Sequence, residues 1–318
     1  MSGIAGLLHA GAASAQSNPA TPVDALRSRP GAAEPIAVLF PDIGEPYRKV
    51  FTEIITGVEE STRQRVRGYP VGAAADGPDL AAALKRNGTR VVVALGRQGL
   101  KAAAGVEAPA GVVLGGVSSV PEGERQFGIC LTPDPALLFA QLKNLLPVTR
   151  RVIVVYNPQH NDWIVKLARE AAKSAGIELT AYEARDLATA ARLYESAFAG
   201  ADPRRDALWL PIDPTTVDEA TILPLVLKEA WNRAVPVFSS SFLHVKRGAL
   251  FALYPNNVEL GRSLGNLSSA LLAGETLARG VTPLRDVYSA LNLRTASHIG
   301  LAIAPQMQRR FTFLYPEP

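Results

Sequence analysis

The chain has 318 residues, of which 47% are hydrophobic and 19% charged, a composition typical of a globular protein long enough for one large or two medium domains. The formal net charge is +4, and the basic residues are spread along the chain without interleaved aromatic residues, so the sequence does not favour nucleic acid as a partner. No run of about 18 apolar residues occurs, which argues against a membrane-spanning helix.

The N-terminal residues resemble an export signal. Residues 4–15 are apolar or small and end in Ala13-Ser14-Ala15, the small-x-small pattern that precedes a signal cleavage site. We therefore predict a signal-peptide-like segment over residues 1–15, a flexible linker over 16–34, and a mature protein that is exported to the periplasm as a soluble molecule. No Lys or Arg precedes the apolar stretch, so an unstructured Ala-rich tail is the alternative.

Cysteine and histidine usage gives no sign of a metal or redox site. Cys130 is the only cysteine, so no internal disulfide can form, and its apolar neighbours favour a small buried side chain over a nucleophile. The four histidines, His9, His160, His244 and His298, lack metal-ligand spacing. We expect neither a metal nor a cofactor.

From residue 35 onward, short apolar runs alternate with stretches whose apolar residues fall at helical spacing. The predicted strands span about 35–40, 66–72, 90–95, 111–117, 151–156, 177–182, 207–211, 235–238 and 249–254. The predicted helices cover about 50–58, 80–84, 97–104, 134–146, 161–175, 187–199, 217–233 and 257–273. Continuous apolar strands indicate parallel sheets with helices on both faces, and their number favours two doubly wound α/β sheets of about five strands each.

The loops that follow the predicted strands form the candidate binding site, because ligands of open parallel sheets bind beyond the carboxyl ends of the strands. Their hydroxyl, amide, carboxylate and aromatic groups can orient a small polar or aromatic molecule. The candidate ligand-binding residues are Gly44, Glu45, Tyr47, Gly96, Arg97, Ser118, Tyr156, Asn157, Gln159, Asp213, Ser239, Ser240, Ser241 and Tyr254. Capping of the next helix is the alternative role for the Asn and Asp residues, above all Asp213.

The same loops contain no catalytic motif. No G-x-S-x-G turn follows a strand, and neither a P-loop nor a dinucleotide-binding G-x-G-x-x-G opens a helix after the first strand. We therefore expect no catalytic residue and no enzymatic activity. A two-lobed glycosyltransferase-like enzyme is the alternative from another class, and it would need a better nucleotide-phosphate loop than Gly96-Arg97-Gln98.

Four segments resemble a known family. They are residues 145–158 (LLPVTRRVIVVYNP), 235–250 (VPVFSSSFLHVKRGAL), 254–262 (YPNNVELGR) and 291–301 (LNLRTASHIGL). In this order they are similar to ABC transporter substrate-binding proteins of the tryptophan/tyrosine-uptake type, which have the type I periplasmic binding fold. The resemblance implies two lobes joined by a hinge of three crossings, the first lobe being 35–118 plus 248–280 and the second 119–247 plus 281–318.

The resemblance also implies a function. The ligand would lie between the lobes and contact residues 44–47, 156–159, Asp213 and 239–241. We expect a monomer that captures a small polar or aromatic molecule, an amino acid being one candidate, and delivers it to an ABC permease without a cofactor. The alternative partner is a membrane histidine kinase that the closed form would signal to.

Overall fold

The computed structural model describes residues 34–45, 47–72, 77–118 and 127–317. The predicted signal segment, and the linker up to residue 33, lie outside the described residues. In the described ranges, no helix has both the length and the apolar character that crossing a membrane requires.

The nine predicted strands and eight predicted helices are present, and the described residues hold four further strands and three further helices. The strands are β1 (Ile36–Pro41), β2 (Arg67–Val71), β3 (Val91–Leu95), β4 (Gly111–Gly115), β5 (Phe127–Pro133), β6 (Arg151–Tyr156), β7 (Glu178–Glu183), β8 (Asp206–Leu210), β9 (Val237–Ser239), β10 (Phe251–Pro255), β11 (Gly280–Leu284), β12 (Val287–Asn292) and β13 (Phe313–Tyr315). The helices are α1 (Tyr47–Thr62), α2 (Gly77–Arg86), α3 (Gly96–Ala103), α4 (Pro135–Leu145), α5 (Pro158–Ser174), α6 (Leu187–Ala199), α7 (Ile222–Arg233), α8 (Phe242–Arg247), α9 (Asn257–Leu272), α10 (Leu293–His298) and α11 (Pro305–Gln308).

The strands form two sheets, as predicted. The first has the order β11-β5-β4-β3-β1-β2 and the second β13-β12-β10-β9-β8-β6-β7. Every pairing is parallel except the antiparallel pair β10–β12. In the first sheet α1 and α9 pack on one face and α2 and α3 on the other, whereas α4 and α5 oppose α6 and α7 across the second. We call each sheet with its helices a lobe, and the doubly wound fold is confirmed.

The strand pairings differ from the expected division of the chain in three places. β5 and β11 belong to the first sheet although their residues were expected mainly in the second lobe, and β10 belongs to the second sheet although it was expected in the first. The reason is physical: an apolar run shows that a strand is buried, but not which sheet buries it. The sheets have six and seven strands in the described residues, and not about five each, because β5, β11, β12 and β13 are not among the predicted strands.

The lobes are joined where three short segments lie side by side. The chain crosses after β5, after β10 and between β11 and β12. The backbone N–H of Asp134 donates to Leu284 O at 2.8 Å, and that of Asn256 donates to Asp286 O at 3.0 Å. The segment between β11 and β12 is thus hydrogen-bonded to both other crossings. The three-crossing hinge is confirmed as one connected strip of backbone.

Helix α9 is held in the first lobe by an unusually close approach to α1. A methyl group added at Gly261 would lie 2.0 Å from Ile54 O, and one added at Gly57 would lie 1.9 Å from Val258 O. Glycine at both positions lets the two backbones touch. This packing holds the returning α9 against the first sheet after the second crossing.

The side chain of Trp163 makes a contact between the lobes. It lies on α5 in the second lobe, yet it packs against both the second-lobe core and a first-lobe cluster of Leu114, Val117 and Cys130. Its indole N–H is buried and has no hydrogen-bond partner in the described residues. One side of the gap between the lobes is therefore closed by protein.

The α1–α9 contact predicts a large effect of a small substitution. Gly261→Ala should lower the free energy of unfolding by about 2 kcal/mol or more, because the helices must separate to admit the methyl group. Gly72→Ala is the matched control, since a methyl group there meets no atom of the described residues within 4 Å and should change stability by less than about 1 kcal/mol. Urea unfolding of both variants measures the difference, and equal stabilities would contradict the close packing.

Candidate functional site

A cavity of about 620 Å³ lies between the lobes. The first lobe contributes Val50 from α1, Ser118 after β4, Leu131 from β5 and Asn257 from the start of α9. The second lobe contributes the segments that follow β8, β9 and β10, which is the edge that parallel α/β sheets use for ligands. We call this the interlobe cavity.

Most of the interlobe cavity wall is apolar. Leu131, Ile212, Val217, Phe242 and Leu243 contribute hydrocarbon surface from both lobes. The polar part of the wall consists mainly of hydroxyl and carboxylate groups, from Ser118, Ser240, Ser241, Tyr254, Asp213 and Glu219. None of the described residues that line the cavity is Lys or Arg. The wall therefore favours a molecule with an apolar body and a few hydrogen-bonding groups.

Asp213 organises the loop that follows β8. Its Oδ1 accepts hydrogen bonds from the backbone N–H groups of Thr215 and Thr216, at 2.9 and 3.0 Å. Its Oδ2 accepts from the backbone of Asn157 at 2.7 Å and from the side-chain amide of Asn161 at 2.9 Å. The carboxylate is 3% exposed and has no ion-pair partner among the described residues, so four N–H donors replace its hydration.

A chain of side chains runs behind the serines. Ser239 Oγ lies 2.7 Å from His244 Nδ1, and His244 Nε2 lies 3.0 Å from Glu219 Oε1. The other carboxylate oxygen of Glu219 accepts from Arg247 at 2.5 Å. Burial lowers the pKa of His244, although the neighbouring Glu219 acts in the opposite direction. The neutral ring can therefore accept from Ser239 and donate to Glu219.

Two aromatic rings form one wall of the interlobe cavity. The centroids of Phe242 and Tyr254 are 5.0 Å apart, and Phe313 meets Phe242 edge-on at 4.7 Å. Burial raises the pKa of Tyr254, and the nearby Tyr288 adds to the shift. The ammonium of Lys246 lies 4.9 Å from the Phe242 centroid. The rings are thus fixed by their neighbours and offer a rigid apolar surface.

The structure brings only part of the predicted ligand set to this cavity. The residues that line it are Ser118, Asp213, Ser240, Ser241 and Tyr254. The predicted residues that do not line it are Gly44, Glu45, Tyr47, Gly96, Arg97, Tyr156, Asn157, Gln159 and Ser239.

The predicted residues away from the cavity wall have other positions. Gly44 and Glu45 are exposed in the loop after β1, Tyr47 is exposed at the start of α1, and Arg97 is exposed near the start of α3. Gly96 has a φ of +66° and would place a methyl group 3.2 Å from Pro41.

Asn157 and Tyr156 form hydrogen bonds with other residues of the second lobe. Asn157 is the N-cap of α5, because its Oδ1 accepts from the backbone of Gln159 at 3.0 Å. Tyr156 Oη donates to Glu183 at 3.3 Å. Asn157 thus takes the capping alternative, and its ligand role stays a prediction.

Sequence reasoning missed Glu219. The sequence predicts a helix from 217 that would include this residue, but α7 begins only at Ile222, because Asp218 holds a turn by accepting from the backbones of Ala220 and Thr221. Its partner His244 is 25 positions away, and no local pattern connects them.

Comparison with protein families identifies the chain. A model described as ABC transporter substrate binding protein matches residues 139–309, more than half of the 318 residues. The chain belongs to this family. No curated protein matches it significantly.

Solved structures with the same fold include substrate-binding proteins. A substrate-binding protein with adhesive properties from Clostridium difficile, in a ligand-free, open structure, is 17% identical with a TM-score of 0.63, over 87% of this chain and 98% of that one. An ABC domain from Streptococcus pneumonia in complex with L-Trp is 18% identical with a TM-score of 0.53, over 88% and 98%. A conserved domain protein from Vibrio cholerae is 18% identical with a TM-score of 0.54, over 88% of this chain and 98% of that one. All three similarities show the fold.

Within this substrate-binding protein, the one cysteine is a structural residue. Cys130 is fully buried in β5, and burial raises the pKa of its thiol to about 11. The thiol is therefore neutral at physiological pH, and the predicted role as a small buried side chain is confirmed.

The bonding of Asp213 predicts a stability effect that does not depend on any ligand. Asp213→Asn should lower the free energy of unfolding by about 2–4 kcal/mol, since an NH₂ group would replace one of the oxygens that N–H donors surround. Asp218→Asn is the control, because Asn caps an exposed turn about as well as Asp and should cost less than about 1 kcal/mol. If chemical denaturation gave the two variants the same loss, Asp213 would not be the organising residue.

Proposed function

We propose that this substrate-binding protein captures a small molecule with an apolar or aromatic body in the interlobe cavity and delivers it to an ABC permease. The observation that carries the proposal is the cavity itself, which lies between two lobes that the hinge connects, in a chain of this family. A ligand that contacts both walls favours the closed state through its differential affinity for that state. Capture therefore requires binding and no bond-making.

The wall chemistry supports this ligand class. A volume of about 620 Å³ is within the usual range for small-molecule sites. Phe242 and Tyr254 offer rings for an aromatic body, while the hydroxyls of Ser240 and Ser241 offer hydrogen bonds. L-Trp is the ligand in the complex from Streptococcus pneumonia, and an aromatic amino acid is accordingly one candidate. Because the described lining holds no Lys or Arg, a ligand carboxylate would depend on the hydroxyls.

The site supports binding rather than catalysis. The Ser239–His244–Glu219 chain has the residue types of a hydrolytic triad, but the Ser239 side chain is completely buried. The oxygen also accepts from the backbone N–H of Ser241 at 3.0 Å. A nucleophile must reach its substrate, and this one is enclosed by the fold. We propose that the chain fixes the loop after β9 in position.

The N-terminal pattern supports export, with the small-x-small motif at residues 13–15 as the cleavage site. We propose a periplasmic monomer that serves an importer, with a membrane sensor kinase as the alternative partner. We further propose the lobe division that follows the observed pairings, with β5 and β11 in the first lobe and β10 in the second.

The proposal predicts saturable binding of an indole compound. Three probes share the ring and differ in charge: L-tryptophan, tryptamine and indole-3-acetate. We expect at least one to raise the melting temperature of the mature protein, because a ligand that binds only the folded form stabilises it. We expect tryptamine or tryptophan to bind more tightly than indole-3-acetate, since the described cavity wall carries carboxylates and no Lys or Arg.

Variants locate the binding site. Ser240→Ala should lower the affinity for the bound probe roughly three- to tenfold, which corresponds to the loss of one hydrogen bond. Ser269→Ala, an exposed serine on α9, is the matched control and should leave the affinity unchanged. Isothermal titration measures both. Binding that Ser240→Ala and Tyr254→Ala leave unaltered, or no binding by any of the three probes at millimolar concentration, would contradict the proposed site and ligand class.

A further inference from the structure

A second cavity, of about 390 Å³, lies at the opposite end of the second sheet from the interlobe cavity. It is formed between α7 and α10, next to the start of β9, whereas the interlobe cavity adjoins the end of that strand. The two cavities share no lining residue. We call the second one the base cavity.

The base cavity combines an apolar interior with cationic groups. Leu227, Val235, Val237 and Ile299 supply the hydrocarbon surface. Two cations, Lys228 and Arg247, also line it, and none of its described lining residues is Asp or Glu. This arrangement of an apolar pocket with a few convergent charges is typical of a small-molecule site.

The charges around the base cavity are unbalanced. Lys228 is exposed and has no ion-pair partner among the described residues. The guanidinium of Arg294 lies 5.6 Å from the ring centroid of Trp231, which also lines the cavity. Of the two lining cations, Arg247 is bonded to the carboxylate of Glu219. A ligand with a negative charge would correct the imbalance.

The cavity's aromatic edge is rigid. The ring of His298 stacks on Trp231 at a centroid distance of 3.5 Å, and His298 Nε2 donates to Trp231 O at 2.8 Å. This pair connects α10 to the end of α7, so the two helices that form the cavity are held at a fixed separation. A preformed pocket needs little reorganisation to bind its ligand.

We propose that the base cavity binds a small organic anion with an apolar body, such as a monocarboxylate. Its apolar part lies against Leu227, Val237 and Ile299, and its carboxylate lies between Lys228 and Arg247. The site is separate from the interlobe cavity, with which it shares no lining residue.

Arg247 connects the two cavities. It lines the base cavity, and its guanidinium bonds Glu219, which lines the interlobe cavity together with His244. A carboxylate in the base cavity and Glu219 therefore compete for the same guanidinium. Occupation of the base cavity therefore weakens the ion pair that Arg247 forms with Glu219 at the solute site.

Benzoate and benzamide are the probes, because they have the same shape and differ in charge. Titration of the mature protein, followed by calorimetry and by Trp fluorescence, should show one benzoate bound per chain, and benzamide at least about fivefold weaker. Lys228→Met should reduce benzoate affinity about two- to fivefold, and Lys173→Met, an exposed lysine on α5, should leave it unchanged. Glu219→Gln should tighten benzoate binding by freeing Arg247.

The proposal is overturned by any of three results. The first is no saturable benzoate binding at about 10 mM, and the second is equal affinity for benzoate and benzamide. The third is loss of benzoate binding in Ser240→Ala but not in Lys228→Met, which would place the anion in the interlobe cavity. A Glu219→Gln variant that binds benzoate no more tightly than the unmodified chain would contradict the shared role of Arg247.

Discussion

Three segments of the chain pass between the two sheets side by side, and backbone hydrogen bonds join each outer segment to the one between β11 and β12. Ser263 and Arg285 add side-chain bonds to Asp286 and Asp134 at this strip. Because all three connections lie together, the lobes can rotate about one line without breaking either sheet. The separation of the lobes, the cavity between them and a capture mechanism all depend on this arrangement.

The second-lobe wall of the interlobe cavity is supported by polar groups that already form hydrogen bonds within their own lobe. Asp213 accepts four hydrogen bonds from its own lobe, and both ring nitrogens of His244 are engaged. Such groups hold the loops after β8 and β9 in place at little cost, because the Asp213 carboxylate and the His244 ring both have hydrogen-bond partners. The hydroxyls of Ser240 and Ser241 are then presented by a rigid support, which is what selective binding of a small molecule requires.

Much of the fold could be predicted from the sequence because strands such as β3 and β6 are buried on both faces and read as continuous apolar runs. Short, half-buried elements such as β13 have no such signal. The sheet to which β5 or β10 belongs could not be read, since it depends on contacts distant in sequence. For the site, the strand-end rule found Asp213 and Ser240, whereas Glu219 reaches the cavity through a turn whose position only the folded chain defines.

We propose that the lobes move as rigid bodies about the hinge when solute binds. Spin labels can be attached in a Cys130→Ala background at exposed positions on the two lobes. Labels at Lys85→Cys and Lys173→Cys report the distance between the lobes. Labels at Lys173→Cys and Asn232→Cys report a distance within the second lobe. Pulsed electron paramagnetic resonance with saturating solute should show the first distance distribution shift while the second stays constant. An unchanged interlobe distribution with solute bound, or a change within the lobe, would contradict rigid-body movement of the lobes.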